Sequence, residues 1–348
     1  MKILLGMSGG LDSTYAAHKL LAAGHEVEGA LLDMHGYTDV ESAREAAESL
    51  GIKLHVIDCR RRFENTVIEN FLDEYLSGRT PNPCVICNSE VKFAALLEYA
   101  LENGFDRIAT GHYARINERV TENGVRHYLS RAEDAAKDQT YMLWRLSEDV
   151  LSRLILPLSE DKKPDVRDNA RRLGLSSADR GESQEICFIP SGDYASYIEE
   201  RRGESKKGFF INKEGKILGE HNGIIRYTVG QRKGLGIAMG ERVFVTEIDP
   251  IGNTVTLSRE DSYANHIEIS GISFQGIDEL GAGDTLSLAV KVRYPAKPVG
   301  AVFTYLGGGR GYARLDTPVR AIALGQSAVF YDGDSLCLGG FIDESRLV

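Results

Sequence analysis

The chain is expected to fold as an α/β protein: a parallel sheet wrapped by helices at the N-terminal end, then a small central domain and a C-terminal β-barrel. Three observations lead there. Over the first hundred residues, short apolar runs alternate with amphipathic helical stretches, the pattern of βαβ units. From residue 207 onward helical periodicity stops and short apolar segments recur between glycine turns, as in a closed or nearly closed barrel. A length of 348 residues exceeds one typical domain. The expected division is 1–204, with a helical extension that carries Cys187, then 205–260 and 261–348.

The first strand is placed at residues 3–5, and the helix after it runs to about residue 23, with Gly24 as its cap. Between them stands Gly6-Met7-Ser8-Gly9-Gly10-Leu11-Asp12-Ser13. Glycines let the backbone approach an anion closely, and the unpaired amides of a first helical turn favour negative charge, so phosphate is the expected guest. A Walker loop needs Lys-Ser or Lys-Thr after its second glycine, and a dinucleotide loop needs G-x-G-x-x-G; this stretch has neither. A second strand at 27–32 ends at Asp33-Met34, an alanine- and glutamate-rich helix spans 39–50, and a third strand covers 53–59. In a parallel sheet ligands collect at the carboxyl ends of the strands. That groups Gly6 to Ser13, Met34 and the residues after Cys59 around one crevice.

Residues 63–76 read as helix. Pro81 and Pro83 exclude regular helix between Ser77 and Asn88, and helix resumes near Ser89. Cys87 is therefore expected at a helix N-terminus, which favours the thiolate. Taken alone, Cys84-Val85-Ile86-Cys87 is ambiguous between half of a zinc site, whose remaining ligands are not in evidence, and a redox pair. Helices are expected again at 163–173, with Pro164 in the first turn, and at 193–201. Strands at 242–248 and 254–257 flank a turn. Further strands are placed at 266–274, 285–293, 299–306, 312–315, 321–322, 328–331 and 336–342.

Net charge is −10, which argues against a generally basic coat, yet residues 201–240 hold nine Lys or Arg against three Glu. Such a stripe, with Arg232 and Lys233 in it, is either a solvated face or a phosphate-backbone contact within an acidic protein. Five cysteines do not suggest a disulfide framework and fit a reducing compartment. No apolar run approaches a membrane span, and residues 1–5 are too short for a secretory core, so a cytoplasmic protein with no membrane partner is expected.

Ser8-Gly9-Gly10-Leu11-Asp12-Ser13 resembles the SGGxDS signature of the PP-loop pyrophosphatases, Rossmann-like enzymes that split ATP to AMP and pyrophosphate while adenylating a substrate oxygen. Gly78-Arg79-Thr80-Pro81-Asn82-Pro83 followed by Cys87-Asn88 looks like the GRTPNPxxxCN segment of the tRNA-specific 2-thiouridylases, PP-loop enzymes that replace the C2 oxygen of the wobble uridine with sulfur. The resemblance continues through most of the chain. Ala109 to Ala114 looks like that family's ATGHYA, Lys137-Asp138-Gln139-Thr140-Tyr141 its KDQSY, and Glu182 to Phe188 its ESQxICF. Val229 to Gly236 and Gly325 to Tyr331 match two later signatures.

The resemblance implies ATP, magnesium and tRNA as ligands. Gly6, Met7, Ser8, Gly9, Gly10, Leu11, Asp12, Ser13, Met34 and Gly111 would contact the nucleotide, with Asp12 close to Mg2+. Asn82, Pro83 and Cys84 would line the target base, and His112, Lys137, Asp138, Gln139, Arg293, Tyr294 and Gln326 would contact the tRNA. Cys187 would carry a persulfide received from a cysteine desulfurase or sulfur-relay protein, and Cys87 would resolve it as a disulfide. Cys59 and Cys337 lack such a context and read as structural. A monomer is expected. An alternative within the same fold has Cys84, Cys87 and Cys187 binding an iron-sulfur cluster that holds a sulfide. Two further classes stay open: a PP-loop ligase of small-molecule metabolism, which needs neither paired cysteines nor RNA-binding appendages, and an RNA-binding module with a degenerate ATP loop, which intact Ser8, Asp12 and Ser13 oppose.

Overall fold

The computed structural model describes every residue except 37, 180 and 182–185, so the Glu182 to Glu185 part of the cysteine-bearing signature lies outside the described residues. Strands and helices first alternate strictly: β1 (Lys2–Gly6), α1 (Leu11–Ala22), β2 (Glu26–Asp33), α2 (Val40–Ser49) and β3 (Leu54–Asp58). Then α3 (Arg60–Phe63) runs through a π-turn at Glu64–Ile68 into α4 (Glu69–Leu76), and α5 (Pro83–Ile86) runs through a second π-turn at Cys87–Lys92 into α6 (Phe93–Glu102). After β4 (Arg107–Thr110) come the hairpin β5 (Arg115–Thr121) and β6 (Gly124–Ser130), the single turns α7 (Thr140–Leu143) and α8 (Glu148–Leu151), β7 (Leu154–Ile155), α9 (Lys163–Arg172) and α10 (Tyr194–Arg202).

Ile3, Leu4 and Leu5 are fully buried, which suits a central strand covered on both faces. β1 indeed lies inside a five-stranded parallel sheet of order β3-β2-β1-β4-β7. Because β2 and β4 flank β1 on opposite sides, the winding reverses there. A crevice opens at the carboxyl ends of β1 and β4, where such sheets bind ligands.

Downstream, β8 (Gly208–Ile211), β9 (Ile217–His221), β10 (Phe244–Asp249) and β11 (Thr254–Ser258) form a small sheet of order β10-β11-β8-β9 around Phe210, Val245, Val255 and Leu257. The last six strands are β12 (Tyr263–Phe274), β13 (Thr285–Lys291), β14 (Val299–Gly307), β15 (Arg310–Arg320), β16 (Ser327–Asp332) and β17 (Ser335–Arg346). They pair antiparallel in the order β12-β15-β14-β13-β16-β17, and β12 pairs again with β17, so the barrel closes without a free edge. No described helix is long and apolar enough to cross a membrane.

Three local expectations change. Helix resumes at Pro83 rather than near Ser89, because a proline at the first helical position lacks only an N–H that would be unpaired there anyway. Cys87 consequently sits a full turn inside a continuous helix, buried, and not at its N-terminus. Residues 321–322 are not a strand: Ala321 adopts φ 53°, its N–H donates to the Ser262 carbonyl (2.7 Å) and its own carbonyl accepts from the Arg293 guanidinium. The β5–β6 hairpin was not anticipated. Its Ser130 pairs with Ser335, which extends the barrel sheet with two strands from the N-terminal part.

The two ends of the chain share one core. Trp144 is fully buried, its indole N–H donates to Ser327 Oγ (3.0 Å), and a Cβ on Gly339 would lie 2.4 Å from its ring. Tyr141 donates its hydroxyl to the Ser327 carbonyl (2.9 Å), and Val329, Tyr331 and Leu336 of the barrel pack into the same cluster as the sheet residues Leu4 and Ile108.

Candidate active site

The loop after β1 is held by its own short side chains. The Ser8 amide donates to Ser13 Oγ (3.2 Å), Ser13 Oγ donates to the Gly10 carbonyl (3.1 Å), and the Gly10 amide reaches Ser8 Oγ (3.4 Å). No side chain caps α1, which leaves its first-turn amides for an anion. Two glycines are obligatory for close approach. Gly9 has φ 75° and a Cβ there would sit 2.6 Å from the Ser42 backbone, so the loop is pressed onto α2. Gly111, just past β4, would place a Cβ 2.7 Å from the backbone of Asp12.

These walls enclose a cavity of about 520 Å³. Of the residues expected around the nucleotide, Gly6, Met7, Ser8, Asp12, Ser13, Met34 and Gly111 line it, together with His112, Gln139 and Cys187. Gly9 and Gly10 stand in the loop behind, and the Leu11 side chain is buried in the core under α1. Lys92, His35, Thr38 and Asp39 also line the cavity, and sequence reasoning missed them.

Asp12 is held from two sides. Lys163 Nζ lies 2.6 Å from both carboxylate oxygens, and Tyr113 donates its hydroxyl to Oδ1 (2.9 Å). The Lys163 side chain is buried, so the pair is a strong electrostatic contact, while Asp12 keeps a partly open face toward the cavity. Gln139 fixes Tyr113 in turn: its Oε1 accepts from the Tyr113 backbone N–H (2.9 Å) and its backbone N–H donates to the Tyr113 carbonyl (2.9 Å). Lys163 stands 151 residues from Asp12, at the start of a helix that otherwise reads as solvated, and nothing in its neighbourhood of the sequence marks it.

The cysteines divide by exposure. Cys84 and Cys187 are exposed; Cys87, Cys59 and Cys337 are buried. Burial pushes the Cys87 thiol up to about 12, with Lys92 acting in the opposite sense and Cys187, Cys84 and Cys59 adding to the rise. Its sulfur touches Met34 Sδ at 3.6 Å, which puts it directly behind the cavity wall. Desolvation also raises the Cys187 thiol, again opposed by Lys92. Among the described residues no three His, Cys, Asp or Glu side chains gather closely enough to hold a metal, so Cys84, Cys87 and Cys187 do not form a ready cluster site. His112 Nδ1 shares a hydrogen bond with Thr110 Oγ1 (2.9 Å), and burial together with the Lys92 charge lowers its pKa to about 3, so the ring is neutral at physiological pH.

The remaining expected contacts are farther out. Asn82 is buried and meets the Tyr141 hydroxyl, at the foot of α5 beside Pro83 and Cys84. Asp138 is buried and accepts from Thr140 Oγ1 (2.8 Å), which orders the loop that carries Lys137 and Gln139. Gln326 donates to the Thr80 and Pro81 carbonyls (3.1 and 3.0 Å), so it braces the segment that leads to α5. Arg293 donates to the Val229 carbonyl (3.3 Å) as well as to Ala321, which ties the loop between β9 and β10 to the barrel, and Tyr294 beside it is exposed. Arg232 and Lys233 are exposed, whereas Arg201, Arg202 and Arg226 of the basic stretch pair with Glu64, Glu69 and Glu199.

A parallel-sheet domain with an uncapped phosphate loop, followed by two β units, is the architecture matched by three family models in succession. These are the tRNA methyl transferase HUP domain over residues 1–191, the tRNA methyl transferase PRC-barrel domain over 195–259 and the aminomethyltransferase beta-barrel domain over 265–342. The chain is 43% identical to the tRNA-specific 2-thiouridylase MnmA of Acetivibrio thermocellus, across 98% of this chain and 99% of that protein. It is 44% identical to tRNA-specific 2-thiouridylase MnmA 2 of Clostridium botulinum (98% of each) and 42% to MnmA of Carboxydothermus hydrogenoformans (99% and 98%). The chain belongs to the tRNA-specific 2-thiouridylase family.

Proposed function

We propose that the chain is an ATP-dependent tRNA-uridine 2-sulfurtransferase that adenylates the C2 oxygen of the wobble uridine and replaces it with sulfur from a Cys187 persulfide, giving 2-thiouridine, AMP and pyrophosphate. The observation that carries this reading is the cavity itself: the phosphate loop and an exposed cysteine line one space, with a second thiol one residue layer behind. Membership of the family supports ATP and tRNA as ligands. The loop amides, Ser8 and Ser13 suit the pyrophosphate, and Gly9 and Gly111 let the loop pack onto α2 and the end of β4 onto α1, which shapes the wall around it.

Asp12 would hold Mg2+, which would neutralise charge on the leaving pyrophosphate; Lys163 and Tyr113 fix its carboxylate at the cavity wall. Cys187, exposed at the cavity, would receive sulfane sulfur from a cysteine desulfurase or relay protein, and Cys87 would release the product by forming a disulfide. Cys84 has no step in this sequence, and an iron-sulfur route would give it one. The target base has to leave its stack to reach the crevice, and the exposed Arg232, Lys233 and Tyr294 are offered as backbone contacts for the rest of a cytoplasmic tRNA bound by one monomer.

The test is incubation with tRNA, ATP, Mg2+ and a persulfide source. Thiolated uridine together with AMP and pyrophosphate is expected; ADP and phosphate as main products would overturn the reading. Cys87→Ser and Cys187→Ser should each abolish thiolation, with Cys84→Ser slowing it far less. Stoichiometric iron and acid-labile sulfide after anaerobic purification, with an inactive Cys84→Ser enzyme, would transfer the chemistry to a cluster.

A further inference from the structure

A thiol that burial pushes up to about 12 is a poor nucleophile, since almost all of it is protonated at pH 7. Yet the disulfide-forming step asks Cys87 to attack as a thiolate, and the helix N-terminus that the sequence suggested as its activator is a turn away. The structure offers another source of positive charge. Cys87 and Lys92 are the first and last residues of a π-turn. In an α-helix, residue i+5 lies about 140° around the axis from residue i. In a turn closed by i→i+5 hydrogen bonds the two come closer to one face, and such turns are frequent at functional sites.

Lys92 reaches the nucleotide cavity, which Cys187 and His112 also line. It is the cation acting on both Cys87 and Cys187, while Cys84 opposes ionisation of both and Cys59 that of Cys87. Cys87, Cys84 and Cys187 in turn hold the Lys92 ammonium above its ordinary value despite its burial, and no carboxylate among the described residues contributes. His112, the other basic group beside it, is uncharged at neutral pH. Around Lys92 the groups that act on its charge, among the described residues, are the three thiols, with a neutral imidazole beside them, an arrangement suited to an anion that forms on sulfur.

We propose that Lys92 is the cation that stabilises anionic sulfur during the transfer, first on the Cys187 persulfide and then on Cys87; this rests on the persulfide reading above. In the first step the terminal sulfur of Cys187–S–S⁻ bonds to C2 of the adenylated uridine, and the C2–O bond breaks with its electron pair leaving on AMP. In the second, the Cys87 thiolate, its proton released to solvent, bonds to Cys187 Sγ. The persulfide S–S bond breaks and its pair stays on the sulfur attached to C2. The two cysteines are oxidised to a disulfide, the transferred sulfur is reduced from the sulfane level, and an external dithiol reductant restores the thiols. Lys92 faces an anion in both steps and need not itself lose a proton.

The assignment is read from the enzyme alone, without ATP, tRNA or sulfur donor, by peptide-resolved iodoacetamide alkylation of Cys187 across pH 6 to 10. Removing the positive charge with Lys92→Met is expected to move the alkylation profile up by about one pH unit, about tenfold slower at pH 7. Lys92→Gln serves as the neutral variant if the methionine form does not fold. Lys92→Arg, which keeps the charge, should follow the wild-type profile. A neutral variant that superposes on wild type, or an arginine variant that shifts as far as the neutral one, overturns the role of Lys92. A wild-type enzyme that forms no thiouridine overturns the reading on which it rests, and the two failures are separate measurements.

Discussion

At the scale of single residues, the Asp12–Lys163 pair joins activity to stability. Lys163 is buried and its ammonium lies against a carboxylate that also serves the cavity, so removing either group takes a close partner from a largely buried charge. Asp12→Asn is expected to abolish AMP and pyrophosphate formation and also to lower stability, by about 1–3 kcal/mol because the Asp12 face is partly open to solvent. Pairing it with Lys163→Met should recover most of that stability and none of the activity. Urea melts of the two single variants and the double variant check this; an additive loss in the double variant would show that the two residues are not coupled. Transfer RNA affinity should change little, since both groups act on the nucleotide side.

At the scale of elements, the site depends on how closely α1 approaches the end of β4. Gly111 stands where a methyl group would meet the backbone of Asp12 at 2.7 Å and Ser13 N at 2.9 Å, and backbone does not yield as a flexible side chain does. Gly111→Ala is expected to lever α1 away from β4, with about 1–3 kcal/mol lost and a KM for ATP raised at least tenfold. Gly104→Ala makes a useful contrast, since open space surrounds that glycine and only its φ of 69° is at stake. Equal ATP affinity in the Gly111 and Gly104 variants would argue against close approach as the reason for glycine. The same scale explains Cys87: a proline that starts a helix and a π-turn that widens it bring the thiol and Lys92 closer to one face, a relation that i+3 and i+4 spacing would never suggest.

At the scale of the whole molecule, the barrel and the catalytic domain behave as one body. Trp144 is clamped by Ser327 and Gly339, Gln326 braces Thr80 and Pro81, and the β5–β6 hairpin adds to the barrel sheet. With Arg293 bonded to the Val229 carbonyl, a tRNA bound across the exposed Arg232 and Lys233 would be held close to this body. Replacing both by Ala should weaken tRNA binding and flatten the slope of log K against log salt by about 1–2, as one or two fewer phosphates are neutralised. Filter binding between 50 and 200 mM salt measures it, and an unchanged slope would return both side chains to a merely solvated face.

Much of this was legible in the chain because it is local. The alternation of strand and helix, the glycine-rich turn after β1, and the spacing of cysteines and prolines all reflect backbone and side-chain preferences that act within a few residues, and the family signatures are written in the same short words. What the tertiary structure alone decided is long-range. Lys163 reaches Asp12 across 151 residues, Gln326 turns inward to carbonyls 246 and 245 residues away, and the thiol of Cys87 is governed by burial and a neighbouring ammonium rather than by a helix end. Residues 321–322 have the apolar character of a strand, yet Ala321 turns to a positive φ because Ser262 and Arg293 claim its backbone groups. Periodicity reports which face of an element is apolar; it carries no information about which distant group will arrive to desolvate, pair with or neutralise a given side chain, and that arrival sets the chemistry of the site.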